Sequence, residues 1–163
     1  MTGLLAVRAA VLTALSDAGL TALAAYAGAA RDDPGATVCV DVAGVESGPM
    51  ALGGYLGQLL DGDTGAVREV YGLKMEATIS LEVRAPAAAD CERAMEAASD
   101  ALNGALPSGL RLREESWEAV SWERASRRFL KRGSLRCTAC FTASAEEGSG
   151  EFLDFTLKGV LRN

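Results

Sequence analysis

The sequence of 163 residues contains no histidine. Histidine is the commonest general base and the commonest protein ligand for metal ions, so its absence argues against a Ser-His-Asp triad and against most metal sites. Long apolar runs are also missing, because no run approaches the ~18 residues that a membrane-spanning helix needs. We therefore expect a protein that is not an enzyme, holds no metal or cofactor and does not contact a membrane.

Cysteine is scarce, and its spacing gives no complete metal site. The chain has four cysteines, Cys39, Cys91, Cys137 and Cys140. A tetrahedral zinc site usually needs two CxxC pairs, or one pair with histidines, and only Cys137-Thr-Ala-Cys140 is present. In a strand, positions i and i+3 point to opposite faces, which would prevent this pair from chelating one ion. We interpret all four residues as free thiols in a reducing compartment.

Two glycine-containing motifs look like ligand-binding loops but lack the required spacing. Asp61-Gly-Asp63-Thr-Gly65 resembles the start of a calcium loop, but the twelfth position is Gly72, where an EF-hand needs a glutamate. Gly53-Gly54-Tyr55-Leu56-Gly57 lacks the GxGxxG spacing of a dinucleotide site. The first motif is better interpreted as an acidic turn.

Basic charge is concentrated in one segment of an acidic chain. The net charge is −6 with a pI near 4.7, which argues against a nucleic-acid binder. Residues 111–136 carry eight basic and four acidic side chains, so the remainder carries a charge of −10. Such separation suits a surface that meets a second copy or an acidic partner, with Trp117 and Trp122 as possible anchors. A solvated hairpin is the alternative interpretation.

Two apolar periodicities define the centre of the fold. From Met75 to Val83 every second residue is apolar, which predicts a strand of roughly ten residues with one buried face. After Pro86, four apolar residues recur at helical spacing over the range 87–106, and they are Cys91, Met95, Ala98 and Leu102. Because a half-buried strand and a one-sided helix each need a partner layer, we expect helices packed on a sheet.

The remaining patterns complete an α+β domain. The apolar stripe near the N-terminus predicts a helix over about 4–17, with a second short helical piece through Tyr26. Further strands are predicted at Thr37–Val42, Leu110–Trp122, Phe129–Ala143 and Phe152–Leu161, with a bulge between Leu112 and Trp117. We therefore expect one domain over residues 1–163: a two-layer sandwich with two helices on one face of a mixed or antiparallel sheet of about four to five strands.

A glycine-rich segment, residues 43–67, interrupts this pattern. It alternates glycines with apolar residues, and unstructured loops longer than ~12–15 residues are uncommon in compact domains. We interpret it as an extended arm that packs on another subunit; the alternative is a loop folded on its own domain, with a helical turn near Leu56–Leu60. The predicted interface combines this arm with the basic segment: Met50, Leu52, Tyr55, Leu56, Arg124, Arg127, Arg128, Lys131 and Arg132.

Four segments together carry a resemblance to a known family. They are Val70-Tyr71-Gly72 at the end of the glycine-rich segment, the strand Leu73–Arg84, the helix Ala87–Leu106, and the sequence Trp122-Glu-Arg-Ala-Ser-Arg-Arg-Phe-Leu-Lys-Arg-Gly133 before a strand. In this pattern the chain resembles the tail terminator, or tail completion, proteins of long-tailed bacteriophages and of related prophage-derived contractile particles. The likeness covers most of the chain from about Thr37 onward.

The resemblance implies a structural protein. It predicts a subunit that assembles with itself into a ring, usually hexameric, which caps the tail tube and joins it to head-connector proteins. The expected location is the virion tail, and the host cytoplasm during assembly. Two alternatives remain: another virion part, such as a head–tail adaptor or baseplate component, and a small ligand-binding α+β domain in which Cys137, Cys140 or the carboxylates would be the only candidate site residues.

Overall fold

The computed structural model describes residues 3–24, 34–146 and 153–159, which form an α+β fold with a mixed sheet. The helices are α1 (Gly3–Asp17) and α2 (Ala88–Gly104). The strands are β1 (Thr21–Leu23), β2 (Thr37–Pro49), β3 (Tyr55–Leu60), β4 (Val67–Ala85), β5 (Leu110–Trp117), β6 (Ser121–Glu123), β7 (Arg128–Glu146) and β8 (Thr156–Leu157).

The sheet is built around two long antiparallel strands. β4 and β7 contain 19 residues each and pair from Arg68↔Glu146 to Ala85↔Phe129. The main order is β1-β2-β4-β7-β5, with β3 beside β4 and with β6 and β8 beside β7. Only β1 and β2 pair in parallel among the described strands. The 19 residues of each long strand extend about 60 Å at ~3.3 Å per residue.

One face of this sheet is buried under both helices. The alternating residues of β4 that were predicted to face the core are buried, and Ile79 and Leu81 are both fully inaccessible. They join one apolar cluster with Val11 of α1 and Leu102 of α2. The predicted helix-on-sheet packing is therefore confirmed, and α1 and α2 lie within two or three residues of their predicted bounds.

The size of the sheet and two of its peripheral elements differ from the prediction. The described residues form a sheet of eight strands, so the expected four to five was too few. The second helical piece was also wrong at Thr21–Leu23, because these residues form β1 along the edge of β2. The predicted last strand is represented by Thr156–Leu157 alone, and parts of its range lie outside the described residues. The bulge in β5 is confirmed between Leu112 and Glu114.

The glycine-rich segment is ordered as extended backbone, because β2 continues through Pro49 and residues 55–60 form β3. The alternative of a helical turn near Leu56–Leu60 is therefore wrong, whereas packing of this segment on another subunit stays a prediction. The two strands are joined by a short 3₁₀ turn at Leu52–Gly54, in which Gly53 and Gly54 adopt positive φ angles of 64° and 78°. Backbone pairing with β4 therefore orders this segment within the single chain.

Candidate interaction surface

A β-hairpin continues along β4 beyond the part of the strand that carries the buried core residues, Met75–Ala85. We call residues Met50–Gly72 the hairpin extension. Its outgoing strand is β3, its returning strand is the first part of β4, and β7 pairs with β4 on the other side. The Met50 amide donates to the Gly72 carbonyl at 3.0 Å, which connects the start of the extension to its end. The extension is thus held by ladder hydrogen bonds rather than by a buried core.

The turn at the end of the extension is the predicted acidic turn. The Asp61 carboxylate accepts hydrogen bonds from the backbone amides of Asp63 at 3.0 Å and Thr64 at 3.2 Å. These amide donors favour the charged form and lower the pKa of Asp61. Asp61 therefore stays ionised while it closes the hairpin, which leaves negative charge at this end of the molecule.

Large apolar side chains are exposed on the extension. Leu52 is 99% exposed, Leu60 is 72% exposed and Leu59 is 62% exposed. The predicted interface residues Met50, Tyr55 and Leu56 are also exposed; they are 42–43% accessible. An isolated exposed leucine is ordinary, but several large apolar side chains exposed on one short segment indicate a candidate interaction site.

Three of these side chains are arranged around the returning strand. A Cβ atom on Gly72 would lie 2.6 Å from Leu56 Cδ1 and 2.8 Å from Met50 Sδ, so both side chains lie directly over the glycine backbone. Tyr55 forms an edge-to-face contact with Tyr71, with ring centroids 5.8 Å apart. The β3 edge that faces away from β4 has no strand partner in the described part of the chain. Apolar side chains and unpaired backbone groups are therefore presented together.

The opposite end of the long strands presents aromatic and basic groups. We call residues Ser121–Arg128, which comprise β6 and its turn into β7, the basic tip. Trp122 is 54% exposed and makes an edge-to-face contact with Phe129 at 5.1 Å between ring centroids. Arg124 and Arg127 are exposed, and neither forms an ion pair within residues 3–24, 34–146 and 153–159. Arg132, just beyond the tip, is exposed and pairs with Glu82.

Two residues of the predicted interface are not available at the surface. Arg128 is buried and donates to the Gly35 carbonyl, while Lys131 is buried and pairs with Glu92 of α2 at 3.1 Å. Both side chains already have partners inside this chain, so they are not exposed to a second copy in the structure of the single chain. The predicted basic surface is accordingly reduced to Arg124, Arg127 and Arg132.

A charged cluster beneath the tip was missed by sequence reasoning. Arg84 makes a two-pronged contact with Glu123, at 2.7 Å from Nε to Oε2 and 3.1 Å from Nη2 to Oε1, and it also pairs with Glu82 at 2.9 Å. These hydrogen bonds, with one from Ser126, lower the pKa of Glu123 to about 2. The cluster fastens β6 to β4. The sequence pattern does not indicate this cluster, because Arg84 occupies a polar position of the alternating strand and is expected at the surface.

The two cysteines of the CxxC motif lie on different faces of β7. Cys137 lies on the helix side, where burial raises its pKa to about 11, whereas Cys140 lies on the other face of β7. The two thiols therefore do not converge, as the strand geometry predicted. No group of three or more potential metal-ligating side chains occurs in the part of the chain that the structure describes. No described helix is long and apolar enough to cross a membrane.

Comparison with known proteins adds no relative. No protein-family model matches the sequence, and a search of curated proteins finds no significant match.

Proposed function

We propose that this chain is a structural virion assembly protein that forms a ring of six copies at the end of a phage tail tube and joins the tube to the head. The proposal takes its class from the resemblance to tail terminator proteins. The observation that supports it best is the hairpin extension, with three leucines 62–99% exposed on backbone that is already ordered.

Burial of these side chains in an assembly would release a considerable free energy. Removing apolar surface from water contributes roughly 25 cal/mol per Å², and the exposed groups belong to a segment whose ordering cost has already been met within the chain. A neighbouring subunit or the tube would thus bind a preorganised surface. A ligand-binding domain would instead be expected to present a concave pocket with a few converging polar groups.

Electron microscopy of assembled tails tests this proposal. The chain is co-produced with a phage tail-tube protein, taken from a neighbouring gene where one is found, and tubes are imaged with and without it. We expect a ring of uniform size at one end of each tube and tubes of limited length. Continuous tubes without end rings, together with no binding of the purified chain to tube ends, would rule out the terminator assignment.

A matched pair of variants separates assembly from folding. Leu52→Asp changes a side chain that is 99% exposed and contacts little of its own chain, so the fold should be retained. Arg93→Glu on α2 serves as the control, because it changes a highly exposed surface charge far from the extension. Only the first variant should lose the end rings.

A further inference from the structure

We propose that copies of this chain associate head to tail, with the hairpin extension of one copy docked on the basic tip of the next. This inference rests on the proposed function, because it specifies the contact from which the ring would be built. It commits to a second copy of this chain as the occupant of the exposed apolar surface.

The two ends of the molecule carry opposite charge. The hairpin extension, Met50–Gly72, contains three acidic residues, Asp61, Asp63 and Glu69, and one basic residue, Arg68. The basic tip exposes Arg124 and Arg127, while its own carboxylate, Glu123, is occupied by Arg84 and Ser126. An acidic apolar surface and a basic aromatic surface thus lie at opposite ends of one molecule, and complementary potentials set the orientation of an interface.

The two surfaces also differ in composition, because the tip carries an aromatic side chain and the extension carries leucines. Interfaces are enriched in tryptophan, tyrosine and arginine, which act as anchors in apolar pockets. The tip provides Trp122, which is 54% exposed and lies two residues before Arg124 in the sequence. The extension provides Leu59 and Leu60, which lie on opposite faces of β3 and offer apolar area on both sides. The aromatic anchor and the apolar receiving surface therefore occur on different ends, as a head-to-tail contact requires.

A symmetric contact between like ends is disfavoured by charge, because it would place two acidic extensions, or two arginine-bearing tips, against each other. An antiparallel two-fold dimer would pair unlike ends twice and would stop at two copies, so wild type that does not grow beyond a dimer in sedimentation velocity would contradict the ring. A head-to-tail contact uses each end once per subunit and pairs unlike charges. The two ends are separated by the length of the β4–β7 pair, so a single copy cannot satisfy both from within itself. Repetition of one such contact closes into a ring when the rotation between neighbours allows it.

A mixing experiment with two variants tests the contact. The hairpin variant is Leu59→Glu with Leu60→Glu, and the tip variant is Arg124→Glu with Arg127→Glu. All four changed side chains are exposed, so circular dichroism and thermal unfolding should match wild type. Each variant keeps one intact end. Alone, each variant should self-associate at least about tenfold more weakly than wild type, as measured by sedimentation velocity at low salt. The tip variant reverses the charge of two arginines, and the hairpin variant places glutamates where the contact needs leucines.

The mixture gives the decisive result. The intact extension of the tip variant should bind the intact tip of the hairpin variant and form a 1:1 heterodimer that grows no further. Added salt should weaken it, because screening reduces the attraction between exposed charges. Homodimers of the tip variant without heterodimers would indicate contact between two extensions and would overturn the proposal. Heterodimer formation blocked equally by the Arg93→Glu control would overturn it too.

The outcome can be distinguished from failure of the proposed function. If wild type forms rings on tube ends but the mixed variants give no heterodimer, the head-to-tail contact is wrong and the terminator function stands. If wild type neither self-associates nor binds tube ends, both proposals fail. If heterodimers form but tube ends stay bare, the contact is correct and the terminator function is wrong.

Discussion

The two halves of β4 belong to one continuous strand, yet they lie in different surroundings. The half near Ile79 and Leu81 is covered by both helices, and these side chains are fully buried. The half near Val67–Tyr71 is flanked by β3 and β7, and none of these five residues is buried. A strand can thus leave its domain as part of a hairpin when ladder hydrogen bonds replace core packing.

Residues in the covered half of β4 stabilise the fold, whereas the exposed residues of the extension can contact a partner. Alternation of apolar and polar side chains marks the covered half, because one face meets the helices and the other meets solvent. The extension carries apolar residues on both faces of β3 and would gain from burial on both. Stability and association should therefore depend on different leucines.

The largest expected contrast is between Leu81→Ala and Leu60→Ala. Leu81 is fully buried, so its truncation leaves a cavity and should reduce the free energy of unfolding by about 3 kcal/mol. Leu60 is 72% exposed, so its truncation should change that free energy by about 0.5 kcal/mol or less. Urea unfolding of both variants under conditions where the chain is monomeric provides the measurement. Equal losses would show that the extension is packed as tightly as the core.

The next largest expected effect is the pH dependence of stability that arises from the charged cluster beneath the basic tip. The pKa of Glu123 is lowered to about 2, so its contribution to stability is fully present above the ordinary glutamate value near 4.5 and is lost as pH falls toward 2. One pKa unit corresponds to 1.36 kcal/mol, so the shift contributes up to about 3 kcal/mol. The stability of Glu123→Gln should therefore fall less steeply between pH 4.5 and 2 than that of wild type.

An exposed ion pair supplies the control for this measurement. Glu114 and Arg136 pair at 3.3 Å with side chains 65% and 68% exposed. Solvent screens such a pair, so Glu114→Gln should leave stability and its pH dependence close to wild type. If both variants behave alike, the contact between Arg84 and Glu123 does not fix the tip, and general charge repulsion explains the acid response.

The covered half of the fold could be predicted because its patterns are local and regular. Alternation over Met75–Val83 and the helical stripe after Pro86 each reflect one buried face, so they specify both the element and its orientation. The extension could not be predicted in this way. Bulges between Val42 and Gly44 and between Tyr55 and Gly57 shift the alternation, and the pairing depends on backbone groups that carry no sequence signal.

The burial of two basic side chains was missed for a similar reason. Basic residues were interpreted as surface groups from their charge alone, yet Lys131 lies opposite Val83 on the helix side of β7. The alternation of Lys131 with Leu135 along β7 could have indicated this orientation. The burial of Arg128 depends on the distant Gly35 carbonyl, a contact that the sequence does not reveal.

The smallest difference in stability is expected between alanine substitutions at Gly133 and Gly72, two glycines that are each covered by side chains. Neither Gly133 nor Gly72 has a positive φ angle, so alanine fits both backbones. A Cβ on Gly133 would lie 2.6 Å from Trp117 Cε3 and Cζ3, and this rigid ring also donates its Nε1–H to Glu115. Gly133→Ala should therefore cost about 1–3 kcal/mol, as overpacking does.

Gly72→Ala should behave differently, although its Cβ contacts are as close. The atoms in the way are Leu56 Cδ1 and Met50 Sδ, the ends of flexible side chains that are partly in solvent and can rotate aside. Alanine also loses less backbone freedom on folding than glycine, by roughly 0.5–1 kcal/mol within a strand. The two terms should nearly cancel, so thermal unfolding of Gly72→Ala should resemble wild type. A loss as large as that of Gly133→Ala would mean that Leu56 and Met50 are held rigidly over β4 in the monomer. The extension would then be a packed part of the domain, and its apolar surface would be less free to adapt to a neighbouring subunit.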